Sequence, residues 1–442
     1  MSPLARVLGL WDLVLLIVAA IIGSGIFIVP GTVLGQVGGS AAVALLVWIA
    51  GGVLPLLGAL TYGELSAMRP EAGGLYVYIR ECFGALPAFL FGWSLFFAIG
   101  NGAVAALAVA FSDNLGAVLP MSPLGHKLIA LAMVAVVAAV NVRGTRQSAD
   151  VQNVATVLKA GVVLVMSAVL LWFGRGLTAG GGSLWPESFG LSALSGAGLA
   201  MIAVLWAYEG WQYATYSAGE IVDPRRNYPR AFLIGTLAVV GLYLLANLAY
   251  LEALGARAVT RSASVAADAM ERVGSPAAAR MLALGIAISI FSAGNAITLT
   301  ASRGYYAMAR DGLFFRRLGK VHGRFGTPAF AVVTGSLWAA LLALAGTFQQ
   351  LLTYVVFCGW FFYGLGAAGI FVYRRRVAAG NLPYRVPWYP WTPLLYTVAA
   401  AVLVANALVT QLVDEPVRTG LALGIILLGV PAYFIWRRRG SG

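Results

Sequence analysis

The chain has 442 residues, of which 60% are hydrophobic and only 10% charged, with a net charge of +13. Soluble domains carry about a quarter charged residues, and a mean hydropathy of +0.87 leaves too little polar surface to cover a water-facing globule. The apolar residues run in long blocks without polar linkers, which excludes a soluble multidomain protein and makes lipid the solvent.

A membrane span needs about 20 mostly apolar residues. Twelve segments qualify in chain order, at about 12–36, 41–67, 86–111, 124–141, 153–174, 195–218, 231–253, 279–302, 328–345, 350–373, 391–413 and 418–436. The segment from Trp11 is long and continues into further spans, so it is expected to be span 1 and not a cleavable signal peptide. Span 1 carries Gly23-Ser24-Gly25-Ile26-Phe27 at its middle. Glycine costs about 1 kcal/mol against alanine inside a helix, so two of them flanking a serine mark an unwinding point. Unwound backbone at membrane depth is tolerated only where it lines a cavity or is buried in protein. Its free N–H groups and the N-terminal dipole of the half-helix starting near Ile26 suit a carboxylate.

Span 2 ends at Glu64, expected to be structural at the interface. Span 5 contains Lys159, about one and a half turns in. It either donates to carbonyls freed at the span-1 break or snorkels to the inner interface. Span 6 contains Tyr208-Glu209-Gly210-Trp211, a second candidate break with a carboxylate in it. Glu209 has three readings: it contacts a cationic substrate group, it exchanges a proton, or it bonds freed backbone N–H groups. Paired interrupted spans at matching positions of two repeats point to a transporter site. The competing explanation is close helix packing through small residues. Glu220, and Arg303 and Arg310 at the end of span 8, read as interfacial anchors.

With both termini inside, the inner segments carry 20 Lys and Arg and the outer loops 7. That asymmetry places the termini in the cytoplasm and explains the basic charge without nucleic acid. Cys82 and Cys358 are too far apart to suggest a disulfide framework or a metal site, and His126 and His322 fall in predicted loops. No cofactor and no metal are expected.

Several segments resemble the amino acid–polyamine–organocation (APC) superfamily, and within it the L-type amino acid transporter group. They are LGLWDLVLLIVAAIIGSGIFIVPG, YGELSAMRPEAGGLYVYIRECFG, NVRGTRQSADVQNVATVLKAG, LWAYEGWQYATYSAGEIVDPRRNYPRA, SRGYYAMARDGLFF and GTPAFAV. The resemblance implies an all-α polytopic membrane protein of 12 transmembrane helices with the LeuT-type fold. Residues 8–174 and 195–373 would form two inverted five-helix repeats with helices 1 and 6 discontinuous, and 391–436 two peripheral spans. It implies a substrate carboxylate at Gly23, Ser24, Gly25 and Ile26, and an amino group at carbonyls near Ile21 and from Trp206 through Tyr208 to Glu209, beside Gly210. Lys159 would stand where sodium sits in sodium-coupled relatives, with Tyr243 supporting it. Asn101, Asn295 and Phe357 are the nominated selectivity residues on spans 3, 8 and 10.

The implied function is sodium-independent exchange of α-amino acids by alternating access in the plasma (inner) membrane, with a broad or cationic range left open by Glu209. Proton-coupled uptake of an amino acid or polyamine is the alternative. A channel would want charged rings or pore loops, and an enzyme a nucleophile or metal cluster; the sequence offers neither. A transport-inactive amino acid sensor of the same fold stays open. Animal L-type carriers are tethered to a glycoprotein through a cysteine in the outer loop between spans 3 and 4. Residues 112–123 contain none, so no disulfide-linked heavy subunit is expected.

Overall fold

The computed structural model describes residues 4–116, 118–176, 185, 191–262, 264–376, 382–414 and 416–440. Among them the fold is helical throughout, and the only β-type pairing is an isolated parallel bridge between Leu8 and Ile221. The helices are α1 (Leu10–Ile21), α2 (Gly25–Gln36), α3 (Ala41–Met68), α4 (Leu75–Phe83), α5 (Ala85–Gly116), α6 (Pro123–Arg143), α7 (Thr145–Phe173) and α8 (Leu191–Ala207). After a 3-10 segment, Trp211–Glu220, come α9 (Pro224–Leu254), α10 (Ala256–Arg261), α11 (Val265–Val273) and α12 (Pro276–Arg310). Then follow α13 (Ala329–Ala345), α14 (Phe348–Arg376), α15 (Trp391–Asp414) and α16 (Pro416–Gly440).

Local chemistry sets several of these boundaries. Ser40, Ser122 and Ser275 each accept a hydrogen bond from the amide three residues on, and Pro123 and Pro276 follow two of these caps at the first helical position. Gly255, at φ 75°, separates α9 from α10 where a side chain would strain the backbone. Bulky apolar side chains such as Trp172, Leu341 and Val402 point outward, as lipid-facing positions require.

Seven described helices are long and apolar enough to cross a membrane, and the bent pair α1–α2 makes an eighth. That supports a polytopic membrane protein. The other four predicted spans correspond to shorter apolar helices at Ala329–Ala345, Trp391–Asn406 and Leu423–Arg437, and to the interrupted segment Leu191–Glu220.

Several expectations need correction. The predicted span 5 begins at 153, yet α7 begins at Thr145 and puts Lys159 at the middle of a 29-residue helix. Hydropathy stops at Gln152, but the helix continues because its polar face is packed against protein. Lys159 is fully buried and does not snorkel. Arg303 is no interfacial anchor either: it is fully buried and pairs with Glu220 at 2.7 Å. His126 lies in the first turn of α6, beside Ser112 and Asp113, and not in a loop.

Candidate functional site

Two chain breaks lie against each other. The α1–α2 pair bends by 47° at Ile22-Gly23-Ser24. The second break is Tyr208-Glu209-Gly210, between α8 and the 3-10 segment, with Gly210 at φ 126°. The N-terminal half α1 packs beside the 3-10 segment, and the C-terminal half α2 beside α8.

Glycine permits this approach at two crossed points. A side chain added at Gly25 would lie 2.8 Å from Ala207 Cα, and one added at Gly210 would lie 2.3 Å from the Ala20 carbonyl oxygen. Gly23 is different, since an added carbon there would meet only ordinary contacts at 3.5 Å or more. Close helix packing therefore explains Gly25 and Gly210, and it does not explain Gly23.

The carbonyl side of the span-1 break is held from outside. Lys159 Nζ donates to Ala19 O and Ile22 O, both at 2.6 Å. Ser289 Oγ lies 3.1 Å from Ile22 O and 3.2 Å from Gly23 O, one hydroxyl proton shared between two acceptors. Tyr243 Oη reaches Ile21 O at 3.2 Å and Ala207 O at 2.9 Å, so a single phenol spans both breaks. It binds the backbone beside Lys159 and not the lysine itself.

The amide side is open. The first amides of a helix have no intrahelical acceptor. Here Phe27 N–H bonds Ser24 O, while those of Ser24, Gly25 and Ile26 have no acceptor among the described residues. The Ser24 hydroxyl is buried without a partner as well.

Besides the Tyr243 phenol, the span-6 break is held by two of its own side chains and by Tyr363. Glu209 Oε1 accepts from Gln212 Nε2 at 2.5 Å and from the Tyr363 hydroxyl at 2.8 Å, and Gln212 Oε1 accepts from Gly210 N–H. Glu209 Oε2 is buried and unpartnered. The carboxylate thus bonds side chains, not freed backbone N–H groups. The Trp206 carbonyl accepts from Glu209 N–H, which leaves it one lone pair.

A profile described as "Amino acid permease" matches residues 8–430. The chain belongs to that family. It is 30% identical to the serine/threonine exchanger SteT of Bacillus subtilis, over 99% of this chain and 98% of that one. It is 33% identical to the human b(0,+)-type amino acid transporter 1, covering 98% of this chain and 88% of the relative. The mouse large neutral amino acids transporter small subunit 2 is 32% identical, with 98% and 81% covered. These relatives are transporters, not enzymes, and the APC superfamily with its L-type group is where the chain falls.

Within this family member the nominated residues divide. Ile21, Gly23, Ser24, Gly25, Ile26, Glu209, Gly210, Lys159 and Tyr243 come together at the paired breaks. Five others turn their side chains elsewhere, Trp206 and Tyr208 being candidates through their carbonyls and not their rings. Tyr208 buries its ring between Trp48 and Tyr243, at 5.9 and 5.0 Å. Asn101 donates to Phe96 O, a carbonyl in the π-turn Leu95–Ile99 of α5, and faces Gly335. Asn295 bonds Asn141 and Gln152 on α6 and α7. Phe357 packs with Leu205 and Leu403 around a small apolar cavity, and Trp206 sets its ring against Phe348.

Sequence reasoning missed Tyr363, Gln212 and Ser289. Gln212 was discoverable, because a glutamine two residues past a broken-helix glycine is placed to cap it. Tyr363 and Ser289 sit in apolar helices with no local signal.

Proposed function

We propose that the chain is a sodium-independent amino acid transporter that works by alternating access, most simply as an exchanger of α-amino acids. The observation that carries this reading is the polarity of the paired breaks. Unpaired amides of Ser24, Gly25 and Ile26, with the stranded Ser24 hydroxyl, suit a substrate carboxylate. Across from them, the carbonyls of Ile21 and of residues 206–209 suit an ammonium group. One end of the site takes the negative half of a zwitterion and the other end the positive half.

Lys159 supports sodium independence. Its ammonium lies on two carbonyls of the break and supplies the positive charge that a bound cation would otherwise bring. Alternating access would rock residues 8–174 against 195–373, the two inverted repeats of a twelve-span LeuT-type fold, with 391–436 outside them. The charge asymmetry of the loops supports cytoplasmic termini in the plasma (inner) membrane. Cys82 and Cys358 are both buried, which supports a carrier that works without a disulfide-linked subunit.

Glu209 favours a second reading. Its unpartnered Oε2 accommodates either a cationic substrate group or a proton, so a broad or basic range, and proton-coupled uptake of an amino acid or polyamine, both rest on it. A proteoliposome panel tests these together. Vesicles loaded with one amino acid receive the others and polyamines outside, with sodium and pH varied. Exchange driven by the loaded amino acid and indifferent to sodium is the expected result. Sodium stimulation defeats the Lys159 argument, and uptake into empty vesicles driven by a pH gradient favours the symporter.

A further inference from the structure

A second polar assembly lies outside the paired breaks, on the seam where α7 faces α6 and α12. Ser148, Gln152, Thr156 and Lys159 recur every three or four residues along one face of α7, and all are buried. Ser289, Ser292 and Asn295 form the matching face of α12.

The hydrogen bonds run head to tail. Ser148 Oγ donates to Asn141 Oδ1 at 2.9 Å, and Asn141 Nδ2 donates to Asn295 Oδ1 at 2.8 Å. Asn295 Nδ2 donates to Gln152 Oε1 at 2.8 Å. Gln152 Nε2 donates to Ser292 Oγ at 2.7 Å and Thr156 Oγ1 at 3.1 Å. Each of the three amides uses both its oxygen and its nitrogen. One turn further along the same two helices stand Lys159 and Ser289, whose donors meet on the Ile22 carbonyl.

We infer that Asn141, Asn295 and Gln152 are positioning residues: their interlocked amides fix the register of α7 against α12 and so set Lys159 and Ser289 on the span-1 break. A saturated buried network specifies a single packing, because sliding by one turn strands every member at once. An apolar seam would tolerate such slippage. The seam is a lock and not a proton path, since a carboxamide passes a proton only through an imidic acid form that this bonding pattern opposes.

The lock is a statement about backbone order, so hydrogen–deuterium exchange tests it without reference to what is transported. In Gln152→Leu, the peptide covering residues 18–27 is expected to exchange about tenfold faster, while peptides from α14, which does not touch the seam, keep their rates. Lys159→Met gives the same local rise, and adding Gln152→Leu to it gives no more. The pair Asn141→Leu/Asn295→Leu removes complementary partners together, reproduces the rise, and covers a folding failure of Gln152→Leu. An unchanged 18–27 peptide, or equal acceleration in α14, overturns the inference. So does loss of the pH response of transport in Gln152→Leu with 18–27 unchanged, which would make the seam a proton path.

Discussion

The two breaks are built in opposite ways. At the first, Ile22-Gly23-Ser24 contributes almost nothing but backbone, and its carbonyls are held by side chains from three other helices, Lys159, Tyr243 and Ser289. At the second, Glu209, Gly210 and Gln212 hold one another, and among the described residues the only outside donor to the carboxylate is Tyr363, with Tyr243 reaching Ala207 O beside it. Backbone amides carry no information about a substrate side chain, so the first break suits the part common to all α-amino acids. A carboxylate with a free oxygen discriminates, and the second break is where preference can be set.

The contrast is most strongly tested by removing the outside support. Lys159→Met strands Ala19 O, leaves Ile22 O only the Ser289 hydroxyl, and deletes two charge-assisted hydrogen bonds at 2.6 Å. At about 1.5–3 kcal/mol for each, exchange in proteoliposomes should fall at least a hundredfold for every substrate alike. Retained exchange, or loss confined to one substrate class, breaks the assignment of a generic role to the first break. Next in size is Gly210→Ala, which pushes a carbon to 2.3 Å from Ala20 O at a φ of 126°. Gly25→Ala meets Ala207 Cα at 2.8 Å, whereas Gly23→Ala meets only van der Waals contacts. Overpacking costs about 1–3 kcal/mol, so thermal unfolding in detergent should drop by several degrees for Gly210→Ala and Gly25→Ala, and much less for Gly23→Ala. Equal shifts for all three would mean that the glycines do not hold the breaks together.

How much of this was legible in the sequence follows from the same distinction. Helix breaks announce themselves through glycine and through an acidic residue in an apolar run, and the two breaks do pack together, Gly25 against Ala207 and Gly210 against Ala20. Lys159 was visible because a lysine among valines and leucines is unusual, although its depth was misjudged from the polar Gln152 and Asn153 before it. Gln152 belongs to a packed polar seam and Asn153 donates to Asp12 on α1, so neither marks the end of a span. Tyr363 was hidden because a tyrosine in FFYGLG looks like any aromatic of an apolar helix. Asn295 and Asn101 show the converse failure: a polar residue in a span signals a partner, but not which one. Asn295 satisfies Asn141 and Gln152, and Asn101 satisfies a carbonyl loosened by a π-turn.

Smaller and more selective effects belong to the second break. Glu209→Gln keeps an acceptor for Tyr363 while removing the charge. Uptake of lysine and arginine should fall about tenfold relative to neutral amino acids, the loss of one charge-assisted contact. Selectivity identical to the parent protein would remove Glu209 from substrate choice. Tyr363→Phe deletes one 2.8 Å hydrogen bond to the same oxygen and should shift that preference by about three- to fivefold, with thermal stability changed by about 1 kcal/mol.

The smallest effect separates contact with a break from adjacency to it. Tyr208 lies next to Glu209 in sequence, yet its ring is enclosed by Trp48 and Tyr243 and its hydroxyl makes only a 3.3 Å bond to Trp48 O. In Tyr208→Phe the ring packing survives and a weak hydrogen bond is lost, so stability should change by less than about 1 kcal/mol and substrate preference not at all. Tyr243→Phe, one ring away in the same cluster, deletes the hydroxyl that joins Ile21 O to Ala207 O and should lower exchange of all substrates together. If Tyr208→Phe altered preference, its side chain would have to leave the cluster and enter the site during transport. Position in the folded chain, and not position in the sequence motif, would then have failed to assign its role.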